Sequence, residues 1–174
     1  TVTLTKGYYI SKYPITFEQY DKFCEATGRE KPKDFNWGRG KRPVVDVTWN
    51  DAQAFCEWLG CRLLTEAEWE YACRAGTTTP FSTGDNVTTD QANYDGTEPY
   101  KDYPEGIYRG RTTEVDELDN ENPWGICDMH GNVYEWCADV YDNYPSTAVT
   151  DPTGPATGND RVMRGGSWGH NACF

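Results

Sequence analysis

The sequence is short of several residue types that whole classes of site require. It holds only two histidines, His130 and His170, so a three-histidine iron or zinc centre cannot be assembled from it. Basic residues number 16 against 28 acidic ones, a formal net charge of -12. A nucleic-acid surface needs a surplus of Lys and Arg to neutralise phosphates, so the balance argues against that partner. No apolar run approaches the ~20 residues a bilayer span needs, and no secretory leader is recognisable. Tandem CxxC pairs are also missing. The 7 cysteines, at 24, 56, 61, 73, 127, 137 and 173, form an odd set without the spacing of a disulfide scaffold. They read as small buried residues of a reducing compartment. Cys56 and Cys61, a CxxxxC pair across a helix end, read as two core thiols rather than a redox pair.

Aromatic side chains are what the sequence has in quantity. With 7 Trp, 12 Tyr and 6 Phe, a chain of only 37% hydrophobic residues can still build a core, from rings rather than Leu and Ile. Its 174 residues suit one domain, spanning 1–174. The acidic excess suits divalent cations, which take carboxylate and carbonyl oxygens, and equally suits a well-solvated surface.

Helical periodicity is confined to the first half. Thr16 with Gln19 has capping-box spacing, Phe17, Tyr20, Phe23 and Cys24 follow the 3.6 period, and Gly28 is the stop. Thr48 and Asp51 open a second helix, with Ala52, Phe55, Cys56 and Leu59 on one face and Gly60 at its end. Thr65-Glu66-Ala67-Glu68 starts a third, through Trp69, Ala72 and Cys73 to Gly76. Short strands are expected at Tyr8–Ile10 and Val44–Val47. From residue 77 onward Gly, Pro, Asn, Asp and Thr dominate, with brief apolar pieces such as Ile126-Cys127 and Val133-Tyr134. So long an irregular stretch is tolerable if aromatics and bound cations pin it.

Four segments occur in a fixed order: Tyr9 to Thr16 (YISKYPIT), Arg62 to Ala72 (RLLTEAEWEYA), Asp128 to Trp136 (DMHGNVYEW) and Arg161 to Trp168 (RVMRGGSW). Together they resemble the sulfatase-modifying factor family, whose founding members are formylglycine-generating enzymes. The resemblance runs from residue 1 to 174. It implies an α+β variant of the C-type lectin fold with little regular secondary structure. The family's first and last strands are not recognisable in this sequence.

The resemblance also implies two structural Ca2+ sites. In the first, Asn93 and the Tyr94 carbonyl would meet Glu105 and the Ile107 carbonyl. In the second, Asp128 and Glu135 would flank the carbonyls of Gly131 and Val133. For Asp128 and Glu135, turn capping with an Arg partner is the competing reading. His130 reads as a turn residue bonding a nearby carbonyl rather than as a catalytic base.

The family's oxidases hold copper(I) with two thiolates set five residues apart just after Gly165-Gly166-Ser167, soft ligands for a soft ion. Here the first of those positions is His170, and Cys173 is out of register by two places. The expectation is therefore that copper is not bound and that no catalytic residue is assigned.

Three readings follow. The first is a non-catalytic module for a protein or peptide ligand, like the variable proteins of diversity-generating retroelements. Trp168, His170, Asn171 and Cys173 would then edge the binding surface, where rings supply rigid contact area. The second is a copper- and oxygen-dependent formylglycine-generating oxidase completed by sequence beyond this chain. The third is a structural or regulatory domain of a larger protein. The cysteines point to the cytoplasm, whereas calcium sites point to the cell surface or a secreted protein.

Overall fold

Each helix begins where a threonine side chain replaces a missing backbone partner. In the computed structural model, which describes residues 1–172, Thr16, Thr48 and Thr65 open α1 (Phe17–Thr27), α2 (Trp49–Leu59) and α3 (Glu66–Arg74). All three starts are reciprocal capping boxes, closed by Gln19, Asp51 and Glu68. Gly28 and Gly60 end the first two in the left-handed conformation. The third ends one residue before the expected glycine, on left-handed Ala75.

Among the described residues, four strands follow a different plan from the one the sequence suggests. β1 (Val2–Thr3) pairs in parallel with β3 (Val149–Thr150), matching Val2 to Val149. β2 (Glu135–Val140) pairs antiparallel with β4 (Arg161–Arg164), matching Glu135 to Arg164 and Val140 to Arg161 around an irregularity. The expected strands at Tyr8–Ile10 and Val44–Val47 form no ladder. At the second, Pro43 has no N–H to donate, so pairing shrinks to one bridge with Thr16. Asp46 then turns away at φ 59. At the first, Tyr8 is held by its side chain, the hydroxyl donating to the Glu68 carbonyl at 2.6 Å.

Rings do hold the irregular chain. Tyr20, Phe23 and Phe55 interlock between α1 and α2. Trp69, Ala72 and Cys73 of α3 pack against Cys137 of β2 and Val162 of β4, with Ile126 and Met129. Phe81, Val87, Ala92, Tyr94 and Ala172 form a third cluster in the turn-rich half. The polar tips pair with backbone as they are buried: Trp49 and Trp136 donate to the Cys137 and Val47 carbonyls, and Tyr94 to the Val87 carbonyl. Arg164 donates to Glu66 and Glu70 and lies over Trp69, tying β4 to α3. Among the described residues, no helix is long and apolar enough to cross a membrane.

Candidate functional site

The turn between Asp128 and Val133 is built around two asparagines with no solvent exposure, Asn93 and Asn132. Asn132 sits at φ 62, a left-handed position that Asn tolerates better than most residues. Its Oδ1 accepts from the Thr113 N–H at 2.9 Å and from Asn93 Nδ2 at 3.2 Å. Its Nδ2 donates to the Thr113 carbonyl at 3.3 Å and to Asp128 Oδ2 at 3.4 Å. Backbone contact is closer still, since the Asn132 N–H reaches the Asn93 carbonyl at 2.7 Å. Gly131 is required beside it: a Cβ there would lie 2.4 Å from the Asn93 oxygen.

This network joins the two sets of calcium ligands that the family resemblance implies. In the second set, Asp128 is buried and accepts from the Asn120 and Asn132 amides. Burial pushes its carboxyl up to about 6 against those two donors, and Glu117 adds to the rise. Glu135 Oε2 accepts from Trp69 Nε1 at 2.8 Å, and burial, with the charge of Asp128, pushes that carboxyl up to about 7. Burial thus raises the proton affinity of both acids, and their side-chain donors, Asn120, Asn132 and Trp69, are neutral, which is the donor chemistry a hard cation would relieve. No arginine pairs with either one among the described residues. The Gly131 carbonyl accepts the Val133 N–H at 2.9 Å.

The first set fits a cation less well. Asn93 Nδ2 donates to the Arg111 carbonyl and to Asn132, which fixes the orientation of the amide, and its Oδ1 is buried without a donor. Tyr94 is buried beside it. Glu105 and Ile107 lie on an exposed turn, and the Ile107 carbonyl accepts from the Gly96 N–H at 3.3 Å. Behind that turn Thr89 abuts Gly96 and Gly106, and the Arg109 guanidinium donates to the Thr89 carbonyl. A fixed positive charge there opposes a divalent ion. No group of three or more His, Cys, Asp or Glu that could hold a metal ion occurs among the described residues. Any cation at these turns would need amide and carbonyl oxygens beside one or two carboxylates.

The segment after Gly165-Gly166 is anchored to the same network through its main chain. The Gly131 N–H donates to the Gly165 carbonyl at 2.7 Å, and the Trp168 N–H to the Asn132 carbonyl at 3.1 Å. The Asp95 N–H donates to the His170 carbonyl at 2.8 Å. Side chains then face outward: His170 Nδ1 lies 2.7 Å from Ser167 Oγ, its ring meets Tyr134, and Asn171 donates to Glu98. Cys173 lies outside the described residues.

Trp168 does not stand alone. Trp37 meets it edge-on at 5.1 Å and Tyr108 stacks on it at 6.1 Å, while Phe35 packs on Trp37 at 5.3 Å. Phe35 and Tyr108 are 51% and 48% exposed. Sequence reading missed these rings because they come from two loops with no periodicity. The only hint was a Phe-Asn-Trp in a basic, glycine-rich stretch.

A cleft of about 380 Å³ beside Gly165 and Gly166 contains a cysteine and a histidine. Cys73 Sγ is 3.9 Å from His130 Nε2, and Ser82 donates its N–H to that nitrogen at 3.0 Å. His130 therefore accepts from an N–H, where a bond to a carbonyl was expected. Burial lowers His130 to about 4 and raises Cys73 to about 12. Both are neutral near pH 7, so the pair lacks the thiolate that a nucleophile needs.

The architecture has known counterparts. The chain is 36% identical over 189 residues to "Serine/threonine-protein kinase pkn1" of Chlamydia caviae, covering 93% of this chain and 28% of that protein. It is 38% identical over 146 residues to the formylglycine-generating enzyme of Streptomyces coelicolor, covering 75% of this chain and 43% of the enzyme. It thus spans well under half the length of these relatives. Among solved structures, Treponema denticola variable protein 1 superposes with a TM-score of 0.76 at 27% identity, covering 98% of this chain and 76% of that one. These likenesses agree with the C-type-lectin-like α+β fold. Matched from residue 1 to residue 174, the chain belongs to the sulfatase-modifying factor enzyme 1-like domain family.

Proposed function

We propose that this domain is a non-catalytic scaffold, stapled by calcium, that presents the Trp168 face to a protein or peptide ligand. One observation carries the reading. The segment holding Trp168, His170 and Asn171 is fixed by main-chain hydrogen bonds to Asn132, Asp95 and Gly131, so its side chains can change without loosening its frame. The row Phe35, Trp37, Trp168 and Tyr108 supports it with rigid contact area at low entropic cost. His170 stands where the family's oxidases place a thiolate, and Cys73 with His130 is held neutral. Similarity to a protein named for its variability supports the same reading.

Calcium would be held by Asp128, Glu135 and the Gly131 and Val133 carbonyls, and less tightly by Asn93, the Tyr94 carbonyl, Glu105 and the Ile107 carbonyl. Bound there, the ion supplies charge compensation to two buried carboxylates. Binding to the folded state alone adds about 4 kcal/mol at a thousandfold excess over Kd. For a domain of this size that corresponds to roughly 8–16 °C of melting temperature. Scanning calorimetry with and without a chelator measures it, and an unchanged melt removes the calcium assignment.

The binding role is tested on an immobilised peptide array. Peptides that bind should lose at least about tenfold in affinity with Trp168→Ala and keep it with Tyr9→Ala, which changes a fully exposed ring elsewhere. Aldehyde formed on a cysteinyl peptide in the presence of copper(I) and oxygen would overturn the non-catalytic reading. The alignment of 93% of this chain to 28% of Pkn1 favours a second reading, a structural or regulatory domain of a longer protein. It expects no peptide capture that depends on Trp168.

A further inference from the structure

The end of α2 carries a chemistry that the ligand surface does not use. The Gly60 N–H donates to the Glu57 carbonyl at 3.2 Å and the Cys61 N–H to the Cys56 carbonyl at 2.9 Å. With Gly60 at φ 77, this is the paired-bond helix ending in which the side chains at the two outer positions normally make an apolar contact. Here those two positions are both cysteine, Cys56 and Cys61. A direct backbone bond across so tight a cap holds the two Cα atoms within the roughly 4.4–6.8 Å that a disulfide spans.

We propose that Cys56 and Cys61 form a thiol–disulfide exchange site, in which Cys61 captures a low-molecular-weight disulfide and Cys56 resolves the adduct into an intramolecular disulfide. Cys61 is the exposed member and Cys56 the buried one. Four other cysteines, 24, 73, 127 and 137, are buried and free, which leaves Cys61 as the reactive thiol among the described residues. Burial, then the neighbouring Cys61, push the Cys56 thiol up to about 12, so Cys56, like Cys73, does not begin an exchange; it acts only at the close range of a disulfide already formed on Cys61. Once Cys61 is held as a mixed disulfide, its sulfur is the electrophile that lies next to Cys56.

The exchange is balanced. The Cys61 thiolate attacks one sulfur of the small disulfide, the Cys61–S bond forms, the S–S bond breaks, and one small thiolate leaves to be protonated. Cys56 gives its proton to solvent as its sulfur attacks Cys61 Sγ, which expels the second small thiolate. Two protein thiols are oxidised and one small disulfide is reduced to two thiols.

The test uses oxidised glutathione on the Cys173→Ser chain, followed by trypsin and mass spectrometry. Residues 42–62 stay in one fragment because Pro43 blocks cleavage after Arg42, so both cysteines are read together. The expected product is that fragment lighter by two hydrogens and carrying no glutathione. Cys56→Ser should trap a stable glutathione adduct on Cys61, and Cys61→Ser should leave Cys56 unmodified at matched times. A stable adduct on Cys61 in the parent chain, or no reaction in the folded protein, overturns the proposal. Circular dichroism of each variant confirms that the helices are intact.

Discussion

Replacing Asn132 by alanine should be among the most damaging single changes in the molecule. The side chain makes four hydrogen bonds in a region without solvent exposure: two to the Thr113 backbone, one to Asn93 and one to Asp128. Alanine leaves the Thr113 N–H and one Asn93 amide hydrogen without acceptors, at about 1–3 kcal/mol for each buried orphan. Loss of a residue that accepts φ 62 adds about 1 kcal/mol. The total is about 3–7 kcal/mol, a large share of the roughly 5–15 kcal/mol that holds an ordinary domain. In melting temperature this is a fall of roughly 6–28 °C. Urea and thermal unfolding followed by circular dichroism measure it. Asn120→Ala is the comparator, since it removes bonds to Asp128 alone and should cost about 1–2 kcal/mol. If Asn132→Ala unfolds within about 1 kcal/mol of the parent, the network does not hold the turn as argued.

Other outcomes follow from single contacts. Gly131→Ala puts a Cβ 2.4 Å from the Asn93 oxygen at φ 78, so it should destabilise by at least about 3 kcal/mol, read by the same melts. Simultaneous exchange of Trp168, His170 and Asn171 for serine should move the melting midpoint by only a few degrees, because their main-chain anchors remain. A collapse of the fold would show those side chains to be structural. The Arg62 guanidinium, opposed by burial and aided by Thr65, holds the Glu68 carboxyl below its ordinary 4.5. Its contribution is complete above the unfolded value and is lost as pH falls through the lower folded one. Glu68→Gln should therefore flatten the acid side of the stability profile and leave its slope near pH 7 unchanged.

What could be read from the sequence divides along the chain. The helices were legible to within a residue because their signals are local: Thr16 with Gln19, Thr48 with Asp51, Thr65 with Glu68. β2 was not, because Glu135-Trp136-Cys137-Ala138-Asp139-Val140 shows no clean alternation and its partner lies beyond a long loop. Val44–Val47 looked like a strand on composition, yet Pro43 and Asp46 prevent a ladder. At the site, Asp128 and Glu135 could be carried over from a motif. The part played by Asn132 could not, since it depends on Asn93 and Thr113 arriving from distant loops. The ring row around Trp168 was hidden for the same reason.

The parallel pairing of β1 with β3 has a consequence for biosynthesis. Val2 meets Val149, and Thr5 meets Asp151, across nearly the whole chain. At ribosomal rates of about 5–20 residues per second, β1 waits roughly 7–30 s for its partner to be made. The capped helices have been made long before then, so this short latch closes after them, while β4, synthesised later still, has yet to join β2.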